Sequence, residues 1–211
     1  NDSVPTSAID TVGEIYLVSL SISDLTGVED FTSLKRLYCE INNISSIDVS
    51  NNLLLEKLYC QANLISQLDL SNNINITDLH VGFCSNLDYL DLSNNINLKW
   101  FNSSYASLDT LLLGNKPVLN YLNSAGNNLT GLDLSNCSVL KYCIVNNNDL
   151  NSLNFQNGNN TIVNFYNSSN NPNLFCIQVD DPNYSASNWT NVDSWSSFSL
   201  NCSLAGCMSV L

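Results

Sequence analysis

The chain repeats itself every 21 or 22 residues, and that period constrains the fold more than any other feature. Leu34-Lys35-Arg36-Leu37-Tyr38-Cys39-Glu40-Ile41-Asn42-Asn43-Ile44 recurs as Leu55-Glu56-Lys57-Leu58-Tyr59-Cys60-Gln61-Ala62-Asn63-Leu64-Ile65. Residues 119–129 and 140–150 follow the same LxxLxLxxNxL template. With the fourth position as anchor, the units are centred on Ile15, Leu37, Leu58, Leu79, Phe101, Leu122, Cys143 and Phe165, at intervals of 22, 21, 21, 22, 21, 21 and 22. A second register lies inside each unit: residues 47–52 (IDVSNN) return as 68–73, 90–95 and 132–136, with weaker copies at 111–115 and 153–157. Each unit therefore holds two short extended segments and has no room for a long helix. One unit cannot bury its apolar positions alone, so neighbours must stack into a continuous core.

This pattern predicts a leucine-rich repeat solenoid with parallel β-sheets on a concave and a convex side, short turns, little or no helix and capped ends. Alternation along a strand sends Leu37 and Cys39 inward and Tyr38 and Glu40 outward. Asn42, Asn63, Asn127, Asn148 and Asn170 should form an internal ladder, because an Asn amide can both donate to and accept from backbone where the chain leaves the strand. Cys84 and Ala106 interrupt that ladder. The sequence divides into a cap with a degenerate first repeat (1–33), the repeats (34–170), a C-terminal cap (171–202) and a tail or linker (203–211). Terminal units must differ from internal ones, since an open end exposes core and a strand edge.

Six Lys and Arg stand against 19 Asp and Glu, a net charge of −13. Nucleic acid is excluded as a partner, because phosphate contacts need cations. No uncharged apolar run approaches the ~18 residues of a membrane span. Cys39, Cys60, Cys84 and Cys143 fall on inward positions and read as small buried hydrophobes. Cys176 and Cys202 lie outside the repeat phase, which favours a disulfide between them, with Cys207 as a competing partner. Asp48, Asp69, Asp91 and Asp133 share one convex column. They read as turn carboxylates rather than a Ca²⁺ site, because Ca²⁺ requires ~6–8 oxygens and no loop has that spacing. His80 has no nucleophile and third partner at triad spacing. No catalytic residue, metal ligand or cofactor is assigned.

The phase also gives the outward columns. One runs Tyr16, Tyr38, Tyr59, His80, Asn102, Asn123, Ile144, Tyr166. The next holds Glu40, Gln61, Gly82, Ser104, Ala125 and Ser168, and a third holds Ile41, Ala62, Phe83 and Tyr105. Trp100, Tyr121 and Tyr142 should line one rim. Aromatic side chains offer a large contact area at low entropic cost. The candidate ligand-binding residues are therefore Tyr16, Tyr38, Glu40, Tyr59, Gln61, His80, Phe83 and Tyr105.

The DLSNN segments, the opening ISDLTGVEDFTSL and the ending NPNLFCIQVDDPNYSASNWTNVD…FSLNC resemble secreted leucine-rich repeat proteins of the Bacteroidota, over roughly residues 12–202. The repeat length is similar to that of the internalins. The resemblance implies a secreted or cell-surface, non-catalytic module of a larger protein exported by the type IX route. Its expected partner is an extracellular protein bound on the concave face. A glycan ligand, or a purely structural spacer role, is the alternative.

Overall fold

Inward leucines at a fixed phase leave the backbone one economical arrangement, and a computed structural model of the chain, describing residues 9–203, shows it. Fourteen short strands follow in chain order. They are β1 (Glu14–Tyr16), β2 (Arg36–Tyr38), β3 (Lys57–Tyr59), β4 (Asp78–His80), β5 (Tyr89–Asp91), β6 (Trp100–Asn102) and β7 (Thr110–Leu112). The chain continues with β8 (Tyr121–Asn123), β9 (Gly131–Asp133), β10 (Tyr142–Ile144), β11 (Ser152–Phe155), β12 (Phe165–Asn167), β13 (Cys176–Val179) and β14 (Ser197–Ser199). A parallel sheet of eight strands runs β1-β2-β3-β4-β6-β8-β10-β12. The second side is discontinuous: β5 pairs with β7, and a separate sheet runs β9-β11-β13-β14. The equivalent segments of the first units, around Val49 and Leu70, are not strand-paired, although both side chains are buried. The one α-helix among the described residues, α1 (Pro182–Asn188), lies between β13 and β14, in the segment expected to form the C-terminal cap. Among the described residues, no helix is long and apolar enough to cross a membrane.

The long sheet stacks its anchors in register. Ile15 pairs with Leu37, Leu37 with Leu58, Leu58 with Leu79, and so on to Cys143. The last unit departs from the expected phase. Cys143 pairs with Tyr166, not Phe165. Tyr166 is buried and Phe165 lies outside, so the final interval is one residue longer. The cause is hydrophobic: Tyr166 stacks on Trp189 of the cap at 4.3 Å, and Phe155 packs edge-on against both rings. Ser168 consequently turns inward as well, and neither Tyr166 nor Ser168 belongs to the outward columns.

The strands of the long sheet are only three residues long, and asparagine side chains finish what the strands begin. The fourth residue after each anchor adopts a left-handed conformation, as at Ile41, Ala62, Phe83, Tyr105, Gly126 and Asn147. That turn carries the chain out of the sheet and leaves backbone groups without partners. The next residue satisfies them. Asn63 donates to the carbonyls of Cys39 and Cys60, both at 2.9 Å, and accepts from Ile44 N–H at 3.0 Å. Asn42, Asn127 and Asn148 do the same. The fifth rung is Asn171, not Asn170, because the phase has slipped by one: Asn171 is buried and donates to Val145 and Ser168 carbonyls. Beyond it, Asp193 of the cap accepts from the N–H groups of Asn170 and Asn171, at 2.9 and 2.8 Å. Where Cys84 replaces Asn, its thiol reaches the Cys60 carbonyl at 3.4 Å.

A second ladder runs along the opposite side through Asn52, Asn73 and Asn95, each donating to carbonyls of the preceding unit. Its next rung is Lys116. The ammonium is fully buried and donates to the carbonyls of Leu92 and Leu113, with no ion pair among the described residues. Burial pushes its pKa down to about 8 from the ordinary 10.5.

The Cys176–Cys202 disulfide is formed, with Cα atoms 5.6 Å apart. Cys207 and the expected tail, beyond its first residue Ser203, lie outside the described residues. Cys39, Cys60, Cys84, Cys137 and Cys143 are buried free thiols. Burial raises Cys39 and Cys137 to about 12, which holds them as unreactive thiols. Non-reducing peptide mapping should recover the Cys176–Cys202 pair, and alkylation of the native protein should label none of the five thiols. Reduction should remove about 3 kcal/mol of stability, as closure of a loop of this size implies.

Lys116 gives a pH signature. Its folded pKa lies below its unfolded one, so the unfolded state binds the extra proton between pH 8 and 10.5. Stability from this group therefore rises with pH through that window. Urea unfolding of the wild type and Lys116→Asn should show the wild type gaining about 3 kcal/mol relative to the variant from the bottom to the top of the window. A pH-independent difference between the two proteins would show that Lys116 is not the buried cation described.

Candidate functional site

Three-residue strands in register place one residue before and one after each anchor on the outer face of the long sheet. The position after the anchor carries Tyr16, Tyr38, Tyr59 and His80, followed by Asn102 and Asn123. The position before it carries Arg36, Lys57 and Asp78, followed by Trp100, Tyr121 and Tyr142. The rings thus change column midway, and the change is bridged by contact. Tyr16 stacks on Tyr38 at 4.7 Å, and Tyr38 meets Tyr59 edge-on at 5.3 Å. Tyr59 contacts Trp100 at 5.9 Å, with His80 set perpendicular to both. Trp100 stacks on Tyr121 at 5.2 Å, and Tyr121 meets Tyr142 at 6.0 Å. One ribbon of touching rings therefore crosses the sheet diagonally from β1 to β10. The expected rim residues Trp100, Tyr121 and Tyr142 are part of it rather than separate from it.

Across the sheet, the left-handed turn column carries Phe83 and Tyr105, stacked at 5.4 Å and more than half exposed. Bulky residues at positive φ are costly, and Gly or Asn would be easier there. The next turn does use glycine, and for a second reason: a Cβ on Gly126 would stand 2.4 Å from the Tyr105 ring. The floor between the two aromatic walls is small: Gly82, Ser104 and Ala125, with Ser104 and Ala125 buried. Asn102 and Asn123 turn back to accept from the N–H groups of Ser104 and Ala125, at 2.9 and 3.1 Å. Glu40 and Gln61 are half-buried beside Tyr38 and Tyr59. All eight candidate binding residues thus share this face.

Burial lowers the pKa of His80. Its Nε2 and the Ser104 hydroxyl approach the same space above Gly82, at 3.0 and 3.2 Å from where a Cβ would stand. Neither a hydrogen bond between them nor a carboxylate orienting the ring is present among the described residues. Asp78, on the same strand, is engaged with Thr77 and Lys57.

On the opposite side, Asp48, Asp69, Asp91 and Asp133 each accept from the N–H of the Ser two residues on, at 2.8 to 3.0 Å. Those bonds, backbone-led at Asp48 and Asp69 and led by the Ser hydroxyl at Asp91, hold the three carboxyls below their ordinary pKa. A recess of about 320 Å³ lies there between Asp69, Asp88, Tyr89 and Asp91. Sequence reasoning overlooked one feature of the outer face. Lys35, Arg36, Lys57, Lys99 and Lys141 all fall one or two residues before an anchor, a regularity that sorting the cations by repeat phase would have exposed.

No family model matches the chain. Internalin J of Listeria monocytogenes is 42% identical over 53 residues, which cover 21% of this chain and 6% of that protein. Among solved structures, the leucine-rich repeat domain of APL1B superposes with a TM-score of 0.61 at 17% identity, over 82% of this chain and 58% of that one. Internalin C2 of Listeria monocytogenes gives 0.58 at 15% identity, over 93% of this chain and 84% of that one. The chain thus spans a small fraction of Internalin J and somewhat over half of APL1B's repeat domain. Its fold is that of the leucine-rich repeat proteins, and its repeat is similar to that of the internalins.

Proposed function

We propose that the chain is a non-catalytic, extracellular binding module that grips a protein ligand on the outer face of the long sheet. The observation that carries this reading is the ribbon of touching rings from Tyr16 to Tyr142. A solenoid offers an extended surface rather than a deep pocket, so affinity must be gathered from several strands at once. In such surfaces a few large aromatics carry most of the energy. Tyr16, Tyr38, Glu40, Tyr59, Gln61, His80, Phe83 and Tyr105 are the contact residues, together with Trp100 and Tyr121.

The ring geometry favours protein over glycan. Sugars pack on open ring faces. Here Tyr16 and Tyr38 lie within 5° of parallel, Trp100 and Tyr121 within 12°, and Phe83 and Tyr105 within 17°. In each pair one face of each ring is covered by its partner, which leaves less open ring face for a sugar and keeps edges and hydroxyls for the ligand. The cap disulfide supports an oxidising compartment and hence a secreted or surface location. The similarity to internalin repeats is in keeping with a module of a larger surface protein. Export by the type IX route rests on the resemblance of the cap and repeat motifs alone.

The test is capture of a partner from a library of extracellular proteins, followed by titration of variants. Tyr38→Ala combined with Tyr59→Ala should weaken binding at least about thirtyfold. It should also cost about 1 kcal/mol of stability, because the rings support adjacent strands. Asp69→Asn with Asp91→Asn should bind like wild type. Full binding by a folded tyrosine variant, with loss in the aspartate variant, would move the functional surface to the opposite side.

A further inference from the structure

Of the six cationic residues, Lys116 is buried and the other five share one edge of the long sheet. They occupy the two positions before the anchor, whereas most of the 19 acidic residues lie elsewhere. Along the first half of that edge the charges are compensated. Glu14 pairs with Arg36, Glu56 with Lys35 at 3.9 Å, and Asp78 with Lys57 at 3.4 Å. After β4 the acids stop. Lys99 and Lys141 are exposed and form no ion pair among the described residues. They sit beside Trp100, Tyr121 and Tyr142, the part of the ribbon that crosses to this edge. Among the described residues, Lys99 and Lys141 are thus the surface cations without an ion pair, and this strongly acidic molecule places them next to its aromatic surface, with Glu56 lining the same recess as Lys99.

We propose that this edge recognises an acidic, extended segment of a protein partner, with carboxylates on Lys99 and Lys141 and its backbone and apolar side chains along Trp100, Tyr121 and Tyr142. The proposal rests on the reading of the long-sheet face as a binding face, and it names the chemistry of the ligand. Charge complementarity supplies the argument. The rest of the surface repels an acidic partner, so two cations on one edge fix where and in which orientation it docks. The spacing fits an extended peptide. Lys99 and Lys141 lie two units apart, about 9–10 Å at ordinary strand separation. In a polyproline-type segment, residues three apart lie on one side and about 9 Å from each other. The stacking of Trp100 on Tyr121 covers one face of each ring and favours a peptide over an acidic polysaccharide.

The test uses the immobilised chain and three probes: a random glutamate–tyrosine copolymer, a lysine–tyrosine copolymer and polygalacturonate. The glutamate–tyrosine copolymer should bind, and should weaken about tenfold between about 50 and 300 mM salt. Lys99→Glu with Lys141→Glu should weaken it at least about tenfold at unchanged melting temperature, because both side chains are exposed. Lys99→Gln with Lys141→Gln should give an intermediate loss. Polygalacturonate should bind at least about tenfold more weakly, and the lysine–tyrosine copolymer, which the acidic surface attracts, should lose no binding to the Lys99→Glu, Lys141→Glu protein. Equal binding of polygalacturonate would overturn the peptide assignment. Wild-type binding by the charge-reversed protein would overturn the edge. A captured partner sensitive to Tyr38→Ala but indifferent to Lys99→Glu and Lys141→Glu would overturn the acidic-segment proposal and leave the binding face standing.

Discussion

The side-chain amide at the turn out of each long-sheet strand is the interaction on which the rest of the structure depends. Backbone pairing between units runs on past each three-residue strand as far as the left-handed residue, where Ile41, Ala62 and Phe83 still donate to the next unit, and the turn beyond it leaves backbone groups over. Buried backbone groups left unpaired would each cost roughly 1–3 kcal/mol. Asn42, Asn63, Asn127, Asn148 and Asn171 remove that cost by donating to carbonyls of two successive units and accepting an N–H from the previous one. Each amide is thereby a tie between units as well as a turn device. It fixes the phase, and the phase decides which side chains point out.

The outer face inherits its properties from that phase. With anchors stacked in register, equivalent outward residues are brought within contact distance along the solenoid, and the rings stack whether or not a ligand is present. The same stacking removes ring faces from solvent, which narrows the chemistry the surface can offer. The left-handed column adds a second constraint. Phe83 and Tyr105 occupy a conformation that suits Gly or Asn, are more than half exposed, and so cost stability twice. Their mutual stacking at 5.4 Å offsets part of that cost.

Much of this was legible in the residues. The LxxLxLxxNxL period fixed the solenoid, the inward thiols and the outward columns through β10, because period-two alternation and inward leucines leave little freedom. The cap disulfide was favoured by the out-of-phase positions of Cys176 and Cys202, with Cys207 as the competing partner. Three things were not legible. The slip that moves the last anchor from Phe165 to Tyr166, and the last rung from Asn170 to Asn171, depends on Trp189, which is distant in sequence and claims the Tyr166 ring. The diagonal path of the ribbon depends on Trp100 reaching Tyr59 across two columns, a contact no single column shows. The discontinuity of the second side was hidden as well, since the segments around Val49 and Leu70 carry the same motif as paired ones.

Hydrogen–deuterium exchange at single-residue resolution tests the central claim most directly. The N–H groups of Ile44, Leu129 and Leu150 are held by Asn63, Asn148 and Asn171. They should exchange only through global unfolding. Ile65 is the internal comparison: it occupies the position of Ile44, but the following unit carries Cys84 in place of the Asn, and the thiol is used as a donor to Cys60. Its N–H should exchange at least about tenfold faster than that of Ile44. Equal exchange at Ile44 and Ile65, or fast exchange at all the ladder amides, would show that leucine stacking alone sets the phase and that the asparagines merely occupy the turns.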